Sequence, residues 1–328
     1  MNVLSLFDGM SCGQIALNRA GIKYDNYFAA EIDKPAITVT KANYPNTQHL
    51  GDVTTIKGEN LPKIDLLIGG SPCQGFSFAG KQLNFDDPRS KLFFEFVRLL
   101  KECKPKYFLL ENVRMKKEHE QVITEHLGVT PITINSSLVS AQNRVRLYWT
   151  NIPNVTQPED RGILLKDILI DGSNQIAAQR GRYLIEEIEQ EDGTLITKPT
   201  TQVVELRPDS KSNTLTTVQK DNLVVLDKYK LSDKAIEYMN RLRNGKPRWE
   251  YHTNKLDGKA ACLTANMYKG VPYGVVKDLL RRLTPIECER LQTVPDNYTN
   301  HVADTHRYKM LGNGWTVDVI SYIFENIK

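Results

Sequence analysis

No two of the five cysteines, at 12, 73, 103, 262 and 288, form a Cys-x-x-Cys pair. Neither a zinc site nor a disulfide framework is therefore indicated. No apolar run is long enough to span a membrane. The opening Met1-Asn2-Val3-Leu4-Ser5-Leu6-Phe7 lacks a basic stretch and a small-residue cleavage site, and reads as a first core strand. A cytoplasmic location is expected. Neither Gly-x-Gly-x-x-Gly nor the Gly-Lys-Ser/Thr of a phosphate loop follows that strand, which disfavours dinucleotides and nucleoside triphosphates. Charge of one sign is also scarce: 43 Lys and Arg against 39 Asp and Glu leave a net +4, too little to establish a polyanion partner. Locally the balance differs, because 228–259 holds nine Lys/Arg against four Asp/Glu. A solvated basic face explains that run as well as a nucleic acid does.

What the chain does have is alternation. Val3–Phe7, Tyr27–Ala30, Leu66–Ile68, Tyr107–Leu110 and Arg146–Thr150 read as strands, with helical patterns at Gln14–Ala20, around Ile37–Val39 and over Leu92–Leu100. Strands alternating with helices predict an α/β fold with a doubly wound, mostly parallel sheet. From about 151 polar stretches and turn residues replace that order, with short Thr/Val runs at Thr214–Val218 and Leu223–Leu226. A second, smaller, irregular domain is expected over 155–276, between a first domain at 1–154 and a returning segment at 277–328. In that segment Val317, Ile320, Ile323, Phe324 and Ile327 share one helical face, and Gly312-Asn313-Gly314 reads as the turn feeding it.

Chemistry-bearing residues fall at the carboxyl ends of these strands, where open α/β sheets place their ligands. Gly69-Gly70-Ser71-Pro72-Cys73-Gln74 follows Ile64–Ile68, so Cys73 sits in a rigid strand-end turn. A small buried hydrophobe is the bland alternative for a free cysteine. Phe7-Asp8-Gly9-Met10-Ser11-Cys12-Gly13 joins the first strand to the first helix, and glycines there let a ligand approach the helix N-terminus. Glu31 is placed to hold ribose hydroxyls and Asp52 to accept from an exocyclic amine. Each is weak alone; three in register favour a nucleoside-bearing cofactor. Glu111-Asn112-Val113 closes another strand, and alternation sends Arg144 and Arg146 of Gln142-Asn143-Arg144-Val145-Arg146 to one face.

Taken together and in order, Phe7-Asp8-Gly9, Glu31, Asp52, Pro72-Cys73-Gln74, Glu111-Asn112-Val113, Gln142-x-Arg144-x-Arg146, Arg290-Leu291-Gln292 with Pro295, and Gly312-Asn313 resemble the DNA (cytosine-5) methyltransferases, both bacterial and phage enzymes and the animal de novo branch. The likeness covers nearly the whole chain; about 155–275 lacks recognisable motifs. It implies a Rossmann-like methyltransferase fold, S-adenosylmethionine as cofactor without a metal, duplex DNA as partner, and a monomer in the cytoplasm associated with the nucleoid. It also implies the chemistry. Cytosine carbon 5 is a poor nucleophile until a thiolate adds to carbon 6, which makes the ring an enamine. Cys73 is that nucleophile. Glu111, protonated, neutralises charge at ring nitrogen 3, Arg144 lies beside the base carbonyl, and Arg146 supports the site. The base has to leave the stack to reach such a pocket.

The cofactor contacts implied are Phe7, Asp8, Gly9, Met10, Cys12, Glu31, Ile32, Asp52, Val53, Pro72, Leu92, Asn313, Gly314 and Trp315. The DNA contacts expected are Gln74, Lys81, Gln82, Arg180, Arg182, Arg241, Arg243 and Arg248. Gly75–Gln82 is expected to act as a mobile lid, and 155–276 to choose the sequence, as part of restriction-modification. Ile32 departs from the family, where an aromatic side chain often stands. Competing readings are methylation of transfer RNA, a catalytically dead DNA-binding relative, and, more distantly, a Rossmann oxidoreductase. Cys73→Ser is expected to reduce methyl transfer to below about a hundredth of wild type, as loss of a covalent nucleophile does, while cofactor binding by calorimetry survives. Larger residual turnover would sink the nucleophile assignment.

Overall fold

The apolar runs become the strands of a seven-stranded sheet. A computed structural model describes residues 1–71, 88–170, 175–189, 195–206, 223–225, 229–276 and 281–328, with side chains described except at 88–91, 175–189, 195–206, 223–225 and 251–252. In chain order the elements are β1 (Asn2–Leu6), α1 (Cys12–Arg19), β2 (Asn26–Ala30), α2 (Lys34–Asn43), β3 (Gln48–His49), β4 (Leu66–Gly70), α3 (Pro88–Cys103), β5 (Tyr107–Val113), α4 (Lys117–Leu127), β6 (Ile132–Asn135) and β7 (Val145–Thr150). The sheet order is β3-β2-β1-β4-β5-β7-β6. Every pairing among β1 to β5 is parallel, and β7 runs antiparallel to both its neighbours. The chain therefore has the mostly parallel, doubly wound sheet that its alternation predicts. Strand order reverses between β1 and β4, which opens a crevice at their carboxyl ends.

Side-chain phase decides what faces that crevice. Leu4, Leu6, Phe28, Leu67, Phe108, Leu110, Leu147 and Trp149 pack on Phe93, Phe96 and Leu99 of α3 and on Ile123 and Leu127 of α4. Successive strand residues alternate faces, so Glu111, next after Leu110, belongs to the other face. Gly70 lies beside it in register. That other face is covered by α1: a Cβ on Gly13 would come within 2.5 Å of Ile68.

Two compact units emerge: Met1–Ile168 with Asp257–Lys269 and Pro285–Lys328, and Leu169–Leu256 with Gly270–Thr284. Segment 257–269, read from sequence as part of the irregular stretch, clusters with the first. After α5 (Leu165–Ile168), the second unit holds an antiparallel pair, β8 (Gln175–Glu189) and β9 (Leu195–Leu206), extended by β10 (Leu223–Val225). Thr214–Val218 lies outside the described residues. Next come α6 (Asp233–Asn240), the hairpin β11 (Leu242–Arg243) and β12 (Lys246–Pro247), and α7 (Trp249–His252). Asn244 and Gly245 both take positive φ, 51° and 74°, as a two-residue hairpin turn matched to strand twist requires. Leu231, Met239, Trp249 and Val275 form a small core there.

The chain closes with α8 (Pro285–Leu291), α9 (Asp304–Asn313) and α10 (Val317–Phe324). Val317, Ile320, Ile323 and Phe324 are buried, as their helical spacing predicts. Gly312-Asn313 is not part of a turn, however: both residues finish α9, and Gly314 caps it. The reason is close approach. A Cβ on Gly312 would lie 2.2–2.4 Å from backbone atoms of Thr264 and Ala265. Gly312→Ala is accordingly expected to destabilise the protein by about 3 kcal/mol, the upper end of the overpacking range, measured as a lower denaturant midpoint with unchanged slope.

Candidate active site

A cavity of about 470 Å³ opens at the carboxyl ends of β1, β2, β4 and β5. Of the expected cofactor residues it is lined by Phe7, Asp8, Gly9, Met10, Cys12, Glu31, Ile32, Asp52, Val53, Leu92, Asn313, Gly314 and Trp315. Glu111, Arg144 and Arg146 line the same cavity. Pro72, Cys73, Gln74, Lys81 and Gln82, with the rest of Gly75–Gln82, lie outside the described residues.

The first loop is a backbone cradle. Phe7, Gly9 and Ser11 all take left-handed conformations, with φ of 57°, 59° and 60°. Two of the three are not glycine, so the loop carries strain that its surroundings must hold. They do so from several elements. Glu31 accepts from the Gly9 amide at 2.8 Å and from the Ile32 and Asp33 amides, each at 2.8 Å. Tyr298 donates its hydroxyl to the Met10 carbonyl at 2.7 Å. Asp8 donates its amide to Ala30, while its carboxyl accepts from Tyr27 at 2.7 Å and from Ser11. Burial pushes the Asp8 carboxyl up to about 6, against the pull of the hydroxyls of Ser11, Ser5 and Tyr27. Burial likewise pushes the Cys12 thiol up to about 12, so it is a wall and not a nucleophile.

The Asp52 end is simpler. Asp52 caps a short turn of 3₁₀ helix, accepting from the amide and the hydroxyl of Thr54 at 2.9 Å each. The Thr54 amide and hydroxyl hold its carboxyl below the usual range. Ile32 is 70% exposed beside it, an apolar surface at the cavity edge.

At the opposite end, Glu111 is only 8% exposed. Its Oε1 pairs with Arg146 Nε at 3.0 Å, and its Oε2 accepts from Trp315 Nε1 at 3.2 Å. Across the ladder Val113 faces Arg146 and Glu111 faces Tyr148, so Glu111 and Arg146 form a diagonal cross-strand pair. Arg144 is 3% exposed and turns elsewhere. It donates to the carbonyls of Leu263 at 3.0 Å, Gly312 at 3.2 Å and Gly314 at 2.8 Å, and to the Cys262 sulfur at 3.3 Å. Burial, then the neighbouring Arg146 charge, push it below the usual arginine range. Arg146 thus reaches the acid, while Arg144 braces the backbone. Asn112 donates to Ser71 Oγ at 3.1 Å, holding the residue that precedes Pro72 in the chain.

Sequence reasoning missed Asp33 and Lys309, and gave no role to Gly70 and Asn112 within the motifs it quoted; all four line the cavity. Lys309 Nζ pairs with Asp33 at 3.1 Å, a contact across 276 residues with no local signal. Among the expected DNA contacts, Arg241 and Arg243 are exposed at the β11–β12 hairpin, Arg241 pairing with Glu237 at 3.0 Å. Arg248 is half-buried, its guanidinium 4.7 Å from the Tyr238 ring centroid. Arg180 and Arg182 lie on β8, where side chains are not described. Among the described residues no His/Cys/Asp/Glu cluster could hold a metal ion, and no helix is long and apolar enough to cross a membrane.

A family model, C-5 cytosine-specific DNA methylase, matches residues 1–328. The chain is 32% identical over 333 residues to the type II methyltransferase M1.ScrFI of Lactococcus lactis subsp. cremoris, covering 99% of this chain and 77% of that protein. It is 29% identical over 426 residues to the orphan methyltransferase M.SPRI of Bacillus phage SPR, covering 100% and 97%. A crystal structure of a putative DNA modification methyltransferase encoded within an Escherichia coli prophage superposes with a TM-score of 0.63 at 24% identity, covering 100% and 98%.

Asp8 yields a pH prediction. Because its pKa is raised in the fold, the stability it contributes is complete below about pH 4, the unfolded value, and is lost as pH rises through about 6. Part of the residue faces the cavity, so the loss is expected to be roughly 1–2 kcal/mol. Asp8→Asn should gain that much relative to wild type between pH 4 and 7 in urea melts. Parallel pH profiles would refute the raised pKa.

Proposed function

Because the chain belongs to the family of C-5 cytosine-specific DNA methylases, we propose that it transfers a methyl group from S-adenosylmethionine to carbon 5 of a cytosine turned out of duplex DNA. The observation that carries this reading is the buried carboxyl of Glu111, held between Arg146 and Trp315 in the cavity that Glu31 and Asp52 also line. The donor set fits the cofactor. Glu31 suits ribose hydroxyls, Asp52 the adenine amine, and Ile32, Val53 and Leu92 the flat ring. Asp8 and the Asn313-Gly314-Trp315 segment suit the methionine end. When bound, S-adenosylmethionine supplies an electrophilic methyl on a sulfonium.

The chain's own residues do the rest. Cys73 adds its thiolate to carbon 6, forming a C–S bond and pushing electrons to carbon 5. Glu111 shares a proton with ring nitrogen 3 as charge builds there. Arg146, beside Glu111, is better placed than Arg144 to meet the base carbonyl. Once carbon 5 carries the methyl, its proton leaves to a base, the C–S bond breaks, and the ring regains aromaticity.

Sequence choice is assigned to 155–276, where Arg241 and Arg243 project at the hairpin. A two-stranded ribbon fits the major groove, where arginine pairs with guanine. Likeness to a type II and an orphan methyltransferase suggests a modification enzyme. Purified protein with tritiated S-adenosylmethionine should label carbon 5 of cytosine in duplex DNA and not in transfer RNA. Glu111→Gln should lower kcat at least roughly a hundredfold, the scale of a general acid. Labelled transfer RNA alone, or near-normal turnover by that variant, would overturn the reading.

A further inference from the structure

Trp315 lines the cofactor cavity, yet its indole nitrogen points at the acid. We propose that Trp315 is a positioning residue for Glu111: its N–H fixes the rotation of the carboxyl group toward the base, on a backbone that Arg144 braces at Gly314. This rests on the role of Glu111 given above.

Glu111 has two oxygens and two donors, from different elements. Arg146 Nε, on β7, meets Oε1 at 3.0 Å. The terminal torsion of a glutamate is broad, so one contact leaves the group free to swing. Trp315 Nε1, from the turn before α10, meets Oε2 at 3.2 Å and removes that freedom. Misplacement of a reacting group by about 1 Å can slow chemistry roughly a hundredfold.

The indole can do this because its backbone is fixed on both sides. The Gly314 carbonyl accepts from Arg144 Nη2 at 2.8 Å and from Gln292 Nε2 at 3.2 Å. Thr316 donates its hydroxyl to Gln292 Oε1 and accepts from Ser136, each at 2.9 Å. The Arg144 guanidinium donates to Cys262, Leu263, Gly312 and Gly314. Gly70 supplies an independent sign of the same fit. A Cβ there would stand 3.0 Å from Trp315 Nε1 and 3.1 Å from Glu111 Oε2, so any side chain would wedge the pair apart. A tryptophan that served only as a wall for the cofactor would need no vacancy on that side.

The three indoles of the chain give a readout without turnover. Trp149 donates to the Thr124 hydroxyl and Trp249 to the Asn240 carbonyl, both neutral acceptors. In protein labelled with ¹⁵N-tryptophan, Trp315→Phe identifies the third indole N–H signal by its loss. Glu111→Gln should move that signal and leave the other two in place; an unmoved signal overturns the contact. Replacing Trp315 by benzothienylalanine keeps the shape and deletes only the donor. That variant, and Gly70→Ala, should slow cofactor-free exchange of the cytosine carbon-5 proton by roughly tenfold or more, the scale of one hydrogen bond to a charged group. Cofactor affinity by calorimetry should stay unchanged for the benzothienyl variant. Unchanged exchange with weakened cofactor binding would make Trp315 a wall only. If Glu111→Gln itself exchanges normally, the assignment of Glu111 fails; if it is dead while the benzothienyl variant is normal, only the positioning role fails.

Discussion

One buried carboxamide holds the two halves of the catalytic unit together. Gln292 is fully buried. Its Nε2 donates to the carbonyls of Leu311 at 2.6 Å and Gly314 at 3.2 Å, and its Oε1 accepts from Thr316 at 2.9 Å and from Gln142 at 3.3 Å. Gln142 in turn donates to the Leu291 carbonyl at 3.1 Å and accepts from the Leu263 amide at 2.8 Å. Every polar atom of this pair has a partner, and a fully satisfied buried network specifies one arrangement where a half-satisfied one would penalise all of them. The turn before α10, and with it Trp315, inherits its place from these contacts.

Around that anchor the site is a division between ends of one crevice. Left-handed backbone at Phe7, Gly9 and Ser11 forms one side, held by Glu31 and the Tyr298 hydroxyl. The acid side is made of side chains on β5 and β7, whose antiparallel register brings Arg146 diagonally to Glu111. The single reversed neighbour in an otherwise parallel run of strands is what sets an arginine at that diagonal.

The strands that carry the site were legible because each is a short apolar run ended by a glycine, an acid or a turn. β6 was not, since Thr133 and Asn135 break its apolar pattern. The long β8–β9 pair was hidden by the charged residues interleaved along it, such as Arg180, Arg182 and Glu186. Alternation placed Arg144 and Arg146 on one face but could not say which reaches Glu111; that depends on Leu263, Gly312 and Gly314 offering carbonyls to the first. Gly312-Asn313 read as a turn because only a tertiary approach explains glycine inside a helix. The indole–carboxyl contact joins residues 204 apart and leaves no trace in either local sequence.

That separation has a consequence in time. Chains grow on the ribosome at roughly 5–20 residues per second, so the 204 residues between Glu111 and Trp315 correspond to a delay on the order of 10–40 s. Throughout it β1 to β7 can pair, yet the acid has only its arginine and the cradle lacks the roof contributed by Tyr298. Until Trp315 has been made, the indole–carboxyl contact cannot form.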